Sequence, residues 1–362
     1  MLKPKERIVN LPVYQPGKPI EDVKREYGLS EVIKLASNEN PFGCSPLAKE
    51  AIGLAAQHLE IYPDGASVEL TKALAKKLGV QTSQIIFGNG SDEVIVLITR
   101  AYLQPGTNTV MATPTFPIYK TNSIIEGAEV REVPLKDGAH DLNGMLEQID
   151  ENTRVVWICN PNNPSGTIVG KEELRTFLHA ISKNTVVVFD EAYYEYVESS
   201  NYPESIDWIN EYPNLIILRT FSKIYGLAAL RIGYGVANAA LIDHLNRVRE
   251  PFNTTSLSQK AALAALQDTH FVEECRHKNT IGKKQLYEGF QRLGLSYLPS
   301  EANFILVDVG RPAGYVFQSL LKKGIIVRSG ESLGFPTSLR ITVGSEDQNL
   351  KLLDNLEQIL NQ

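Results

Sequence analysis

Between about residues 85 and 237, short β-rich runs alternate with helical patterns, and this alternation constrains the fold more than any other feature of the chain. The runs are "QIIF", "NTVMA", "AEVREV", "RVVWICN", "TVVVFD", "NLIILRT" and "IGYGVA". Strands separated by helices imply crossover connections, so the pattern predicts an α/β unit with a mostly parallel, seven-stranded sheet covered by helices. Val94, Leu97, Ile98 and Ala101 keep the i, i+3, i+4, i+7 spacing of one apolar helix face, as do Leu174, Phe177, Leu178 and Ile181. These faces are core. Upstream, Ser45 and Pro46 suit an N-cap and first helical position, and residues 70–78 form a short amphipathic pattern closed by Gly79.

The stretch before Ser45 is rich in Pro, Gly and Asn ("YQPGKP", "ASNENPFG"). It reads as an arm, residues 1–44, lying over another surface, a second subunit among the candidates. After Pro251 the pattern changes to long helices, then "ANFILVDV", a helix, "GIIVRS", "SLRITVG" and a closing helix. The expected division is therefore a large unit over 45–250 and a smaller α+β unit over 251–362. A chain of 362 residues with 43% hydrophobic content can supply a core to each.

A net charge of −6, with Lys and Arg spread along the chain, provides no basic field for nucleic acid or an anionic membrane. Residues 1–10 lack the apolar core of a signal peptide, and no run of about 18 uncharged apolar residues exists to span a bilayer. Cys44, Cys159 and Cys275 are far apart and form no CxxC pair, which argues against a disulfide framework or a zinc site. The expectation is a soluble, cytoplasmic protein that acts on small molecules and holds no metal.

Four segments place polar residues just after strand-like runs: "FGNGSDE", "CNPNNPSGT", "FDEAYY" and "TFSK". In a parallel sheet the carboxyl ends lie on one edge, where open α/β sheets bind ligands. In "GNGSDE", Gly88 and Gly90 suit a tight turn, and Ser91 and Asp92 suit a helix N-terminus able to hold a phosphate. A plain glycine turn with a cap reads equally well there. A GxGxxG dinucleotide fingerprint is excluded because Glu93 stands where its third glycine would be. Asp190 ends a run of apolar residues, as a strand cap or as a buried carboxylate awaiting a cation. Lys223 stands in the loop after "NLIILRT", as a surface charge, a phosphate ligand or a covalent imine former. Arg231, eight residues on, suits forked contact with phosphate.

Taken together, "GNGSDE", "NPNNPSG", "DEAYYEY" and "SKIYGLAALRIGY" resemble the pyridoxal-phosphate enzymes of the aspartate-aminotransferase fold, fold type I. With "YQPGKP", "KLASNENPFG", "YPDG" and "LRITVG", the likeness narrows to the histidinol-phosphate aminotransferases and runs from about Tyr14 to Gly344. The resemblance implies pyridoxal 5'-phosphate as cofactor, with Lys223 as its covalent anchor and as the group that moves the substrate Cα proton. It implies Asp190 on the pyridine nitrogen, Asn163 and Tyr193 on the phenolic oxygen, and Phe116 stacked on the ring. It assigns the cofactor phosphate to Ser91, Asp92, Thr220, Ser222 and Arg231, and to Tyr62 from the other subunit of a homodimer. Substrate binding falls to Tyr14, Asn38, Arg328 and Arg340, although "VRSGESLGFP" departs from the family pattern after Arg328.

The implied reaction is L-histidinol phosphate plus 2-oxoglutarate giving imidazole acetol phosphate plus L-glutamate, in histidine biosynthesis. An aromatic-amino-acid aminotransferase is the nearest alternative. A decarboxylase or lyase using the same cofactor residues, and a non-catalytic ligand sensor of the same fold, are more distant. A sensor of that kind would be joined to a basic DNA-binding domain, whereas this chain begins with the arm.

Overall fold

The computed structural model describes residues 2–13 and 17–362. The chain makes a two-residue strand, β1 (Ile33–Lys34), and then lays down one sheet from β2 (Ile85–Gly88), β3 (Asn108–Thr113), β4 (Glu129–Pro134), β5 (Thr153–Cys159), β6 (Val186–Asp190), β7 (Leu215–Thr220) and β8 (Gly233–Ala237). Their order across the sheet is β2-β8-β7-β6-β5-β3-β4. The pairs β3–β4, β3–β5, β5–β6 and β6–β7 are parallel, and only β8 runs against its neighbours.

This is the mostly parallel seven-stranded sheet that the alternation of strands and helices predicts. The reversal of β8 follows from its connection. Residues 221–232 contain one 3-10 turn, Ala228–Leu230, and no crossover helix, so the chain turns back beside β7. That return loop carries Ser222, Lys223 and Arg231 and holds them at the carboxyl edge of β7.

Side chains alternate across the sheet as a pleat requires. Phe87, Val110, Val156, Ile158, Val187, Phe189 and Ile217 enter one core with the helices Val68–Leu78, Lys171–Ala180 and Ser256–Gln267. Ile86, Met111, Val155, Trp157, Val188 and Leu218 enter the opposite core with the helices Ser91–Tyr102, Ile118–Glu126 and Ala239–Val248. The helix at 46–55 starts as its sequence indicates: Ser45 Oγ accepts from the Leu47 and Ala48 amides, with Pro46 in the first turn. Gly79 closes the helix Val68–Leu78 at φ 69°.

A smaller antiparallel sheet, in the order β12-β13-β10-β9, is built from β9 (Ser296–Tyr297), β10 (Phe304–Asp308), β12 (Arg328–Ser329) and β13 (Ser338–Thr342). A further strand, β11 (Ile325–Ile326), pairs in parallel with β1. Residues past Pro251 do not all leave the large core, because Ala261, Ala262 and Ala265 of the helix Ser256–Gln267 belong to it. The long helix Thr269–Arg292 then spans both cores, with Cys275 in the first and Leu286 and Phe290 in the second.

The N-terminal arm divides in a way its composition did not reveal. Residues 3–10 are exposed. The helix Ile20–Tyr27 and β1, by contrast, are built onto the C-terminal unit of the same chain. Val23 and Ala36 pack with Leu321 and Ile326, and the Leu35 amide donates to the Ile326 carbonyl at 2.7 Å. Leu35 itself is 1% exposed in the second core. Leu35→Ala should therefore cost about 2–5 kcal/mol, read as a lowered urea midpoint. A loss below about 1 kcal/mol would mean that residues 20–38 are not part of that core.

Candidate active site

A cavity of about 270 Å³ opens at the carboxyl edge of the large sheet. It is lined by Asn38, Ser91, Asp92, Phe116, Asn163, Asp190, Tyr193, Thr220, Ser222, Lys223, Arg231, Arg328 and Arg340. Every sequence-predicted site residue except Tyr14 and Tyr62 thus reaches one space. Tyr14 lies outside the described residues. Tyr62 does not line this cavity; it is 79% exposed and stacks on Phe252 with ring centroids 4.8 Å apart.

Asp190 closes β6, all of whose residues are buried, and is itself 4% exposed. Its Oδ2 accepts from the Tyr119 hydroxyl at 2.6 Å and its Oδ1 from the Ala192 amide at 3.2 Å. Burial lifts its carboxyl from an ordinary 3.8 to about 6, against the opposing effect of the Tyr119 hydrogen bond. No ion pair to Asp190 occurs among the described residues. The site therefore offers a buried carboxylate that an N–H cation would complete.

Lys223 lies across the cavity, its Nζ 5.6 Å from the Tyr193 ring centre. Burial first, and then the charge of Arg340, lower its ammonium from 10.5 to about 8. A usable fraction is therefore a free amine near neutral pH. Its loop is held from the N-terminal side, where Asn40 Nδ2 donates to the Ile224 carbonyl at 2.7 Å. Tyr193 is buried, which raises its hydroxyl pKa, and its oxygen accepts from Asn38 Nδ2 at 3.0 Å.

At one end of the cavity the helix Ser91–Tyr102 begins without a side-chain cap, because Gly90 occupies the cap position. Its first amides are left for a ligand. Arg231 Nη1 donates to Ser222 Oγ at 3.2 Å, and Nη2 pairs with Asp92 Oδ2 at 3.2 Å. The Ser222 amide donates to Thr220 Oγ1 at 3.0 Å. Gly90 stands at φ +78°, and a Cβ there would lie 2.6 Å from Arg231 Nη2, so a side chain would displace the guanidinium. An uncapped helix end, two hydroxyls and an arginine make an anion site.

The small sheet closes the other end. Arg328 and Arg340 are opposite each other in the β12–β13 register and line the same cavity. Like charges placed opposite one another repel, and an anion between them relieves the repulsion. Arg340 is buried; its Nη1 donates to Asn163 Oδ1 and its Nη2 to the Ala36 carbonyl, both at 2.6 Å. Asn38, at φ 56°, is bound to Tyr193 on one side and accepts from Thr342 Oγ1 at 3.1 Å on the other, so it joins the two sheets as well as facing the cavity.

The family model for class I and II aminotransferases matches residues 30–356. Over 99% of both chains, the sequence is 60% identical to the histidinol-phosphate aminotransferase of Brevibacillus brevis. It is 56% identical to that of Bacillus subtilis strain 168, over 98% of this chain and 99% of that one. The chain belongs to the histidinol-phosphate aminotransferase family. A crystal structure of the Sinorhizobium meliloti family member in complex with pyridoxal 5'-phosphate superposes with a TM-score of 0.92 at 29% identity, covering 100% of this chain and 98% of that one.

Members of this aminotransferase family depend on pyridoxal phosphate, and the residues here fit it. The Asp190 carboxylate suits a protonated pyridine nitrogen, the uncapped helix end with Ser222 and Arg231 suits the phosphate, and the Lys223 amine suits the aldehyde. Sequence reasoning missed Tyr119 and Asn40. Tyr119 is fully buried against Trp157, with centroids 4.7 Å apart, and its hydroxyl is the partner of Asp190. Its only sequence signal is a position three residues after Phe116, which reads as core.

The raised carboxyl of Asp190 makes a signed prediction for the cofactor-free protein. Between about pH 4 and 6 the unfolded chain has released this proton while the folded chain keeps it, so stability falls as pH rises through that window. The fall is about 3 kcal/mol for a shift from 3.8 to about 6. In urea titrations at several pH values, Asp190→Asn should remove this component. Equal slopes for parent and variant over the window would show that the carboxyl is not held protonated.

Proposed function

We propose that this chain transfers the amino group between L-histidinol phosphate and 2-oxoglutarate, yielding imidazole acetol phosphate and L-glutamate, a step of histidine biosynthesis. The observation that carries the substrate assignment is the facing pair Arg328 and Arg340 on the cavity that also holds Asp190 and Lys223. The cofactor phosphate already has a site at the helix end, so the arginine pair serves a second anion. A guanidinium pair binds a carboxylate or a phosphate monoester equally well, which lets one pocket accept glutamate and histidinol phosphate in turn.

When bound, pyridoxal phosphate supplies a carbonyl carbon that exchanges amino groups and a ring that withdraws electron density from the substrate Cα. The chain's own residues supply the rest. Lys223 Nζ takes the Cα proton and returns it on the other side of the exchange, a task suited to an amine titrating near 8. Asp190 keeps a positive charge on the ring nitrogen. Asn163 and Tyr193 orient the ring edge, Phe116 covers its face, and Asn38 fixes the Tyr193 hydroxyl.

The working unit in this proposal is a homodimer in which Tyr62 reaches the cofactor phosphate of the other protomer. Its support is the exposed apolar group of Leu59, Ile61, Tyr62 and Phe252, which a second copy would cover. Among the described residues no helix is long and apolar enough to cross a membrane, and all three cysteines are free thiols, which suits a cytoplasmic setting.

Stopped-flow absorbance of the lysine-bound cofactor tests the assignment. With L-histidinol phosphate the band should decay at much the highest rate per concentration, with L-glutamate more slowly, and Lys223→Ala should abolish turnover. Faster decay with L-phenylalanine would make the chain an aromatic aminotransferase. The homodimer has its own check: Tyr62→Phe should release cofactor more readily, and a fully active monomer in sedimentation would remove the shared site.

A further inference from the structure

Asp190 and Thr220 end neighbouring strands and face the cofactor cavity, and the residues beside them, Glu191 and Arg219, turn to the opposite side of the sheet. There Arg219 Nε and Nη2 both donate to Glu191 Oε2, at 3.0 and 2.8 Å, with side chains 5% and 1% exposed. The other carboxylate oxygen, Oε1, accepts from the Ser205 hydroxyl. The Arg219 guanidinium carbon sits over the Tyr194 ring, 3.4 Å from its centre, and the Tyr194 hydroxyl donates to Glu204. The Tyr202 hydroxyl donates to the backbone carbonyl of Asn160, which opens the loop leading to Asn163. One segment, residues 194–205, thus touches the ends of β5, β6 and β7 from behind, and those ends carry Asn163, Asp190 and Lys223.

We propose that the Glu191–Arg219 pair and the 194–205 segment form a rear clamp that sets the relative positions of Asp190 and Lys223. Glu191 and Arg219 are positioning residues, since neither lines the cofactor cavity. The inference rests on the roles given above to Asp190 and Lys223. Its physical warrant is that a buried ion pair contributes little net stability compared with apolar residues of similar volume. Two guanidinium N–H groups on one carboxylate oxygen, with Ser205 on the other, nevertheless fix where two strand ends sit, and a misplacement of about 1 Å at the reacting groups can cost a hundredfold in rate. The ladder ties these ends through the backbone, the Glu191 amide donating to the Leu218 carbonyl at 2.9 Å, and the side-chain pair adds a second tie between the same two strand ends.

The test is the double variant Glu191→Gln/Arg219→Met in the cofactor-loaded protein, which removes both charges together and leaves neither unpaired. Its Tm should stay within a few degrees of the parent, while kcat for glutamate and for histidinol phosphate falls about tenfold or more with KM changed much less. The pH midpoint of the lysine-bound cofactor's visible band should also move by about half a unit or more. A kcat within about twofold of the parent with an unmoved midpoint would overturn the clamp. Should the double variant fail to fold, Tyr202→Phe removes only the hydroxyl on the Asn160 carbonyl. It should lower kcat about threefold with the same sign of band shift, and unchanged values would overturn the clamp equally. A parent protein that shows no such band defeats the cofactor assignment itself, and the clamp with it.

Discussion

A carboxylate at the end of a fully buried strand is the constraint around which the rest of this structure is arranged. Asp190 sits where three valines and a phenylalanine have already excluded water, and a charge there is costly unless it is met. Among the described residues it receives one hydroxyl and one backbone amide, enough to hold it in place but not enough to neutralise it. The remaining compensation has to come from a cationic ligand. In the proposed assignment a protonated ring nitrogen would meet this carboxylate, the anion site at the helix Ser91–Tyr102 would hold the ring's phosphate, and Lys223 would supply the amine for its aldehyde.

The cavity is a joint product of two sheets. The strand ends of the large sheet bring the residues that fit a cofactor, while β12 and β13 bring the two arginines. Between them the stretch 38–40 acts as a bracket. Asn38 binds Tyr193 from one side and Thr342 from the other, Asn303 donates to the Asn38 carbonyl at 3.0 Å, and Asn40 holds the lysine loop. Because the bracket is anchored through β1 to β11 of the C-terminal unit, movement of that unit would be felt at Tyr193 and at the Lys223 loop together. The cavity wall that carries the two arginines and the loop of Lys223 are therefore mechanically linked.

Much of this was legible in the sequence because parallel strands share an edge. Once "VVVFD" and "NLIILRT" read as neighbouring strands of one sheet, Asp190 and the loop of Lys223 had to converge, and the open N-terminus after "GNG" had to face them. Other features were hidden for physical reasons. The reversal of β8 depends on the lack of a crossover helix in a twelve-residue loop, which hydrophobic periodicity does not report. Tyr119 looks like any core aromatic, since its value lies in one hydroxyl and not in its burial. The arm's composition is that of a surface loop, yet Leu35 and Ala36 are buried because β1 finds a partner almost three hundred residues away. Arg328 and Arg340 were separately visible, but their cross-strand pairing required the register of β12 and β13.

The pair Asp190–Glu191 shows how one sequence step separates two fates. Both are acids, adjacent in the chain and buried, and burial pushes both carboxyls up from their ordinary range. The pleat sends them to opposite sides of the sheet, where their surroundings differ. Glu191 meets Arg219 in a forked ion pair supplied by the chain itself, which makes it a fixed structural joint. Among the described residues Asp190 meets only neutral donors, which leaves its charge open to a cation that enters the cavity. Folding thus gives one carboxylate a cationic partner and, among the described residues, gives the other none, which suits the proposed pairing with a protonated ring nitrogen. Reversing the register of β6 by one residue would exchange the two acids and destroy both arrangements, so the register of this strand, buried along its whole length, decides which acid faces the cavity as directly as it decides the core.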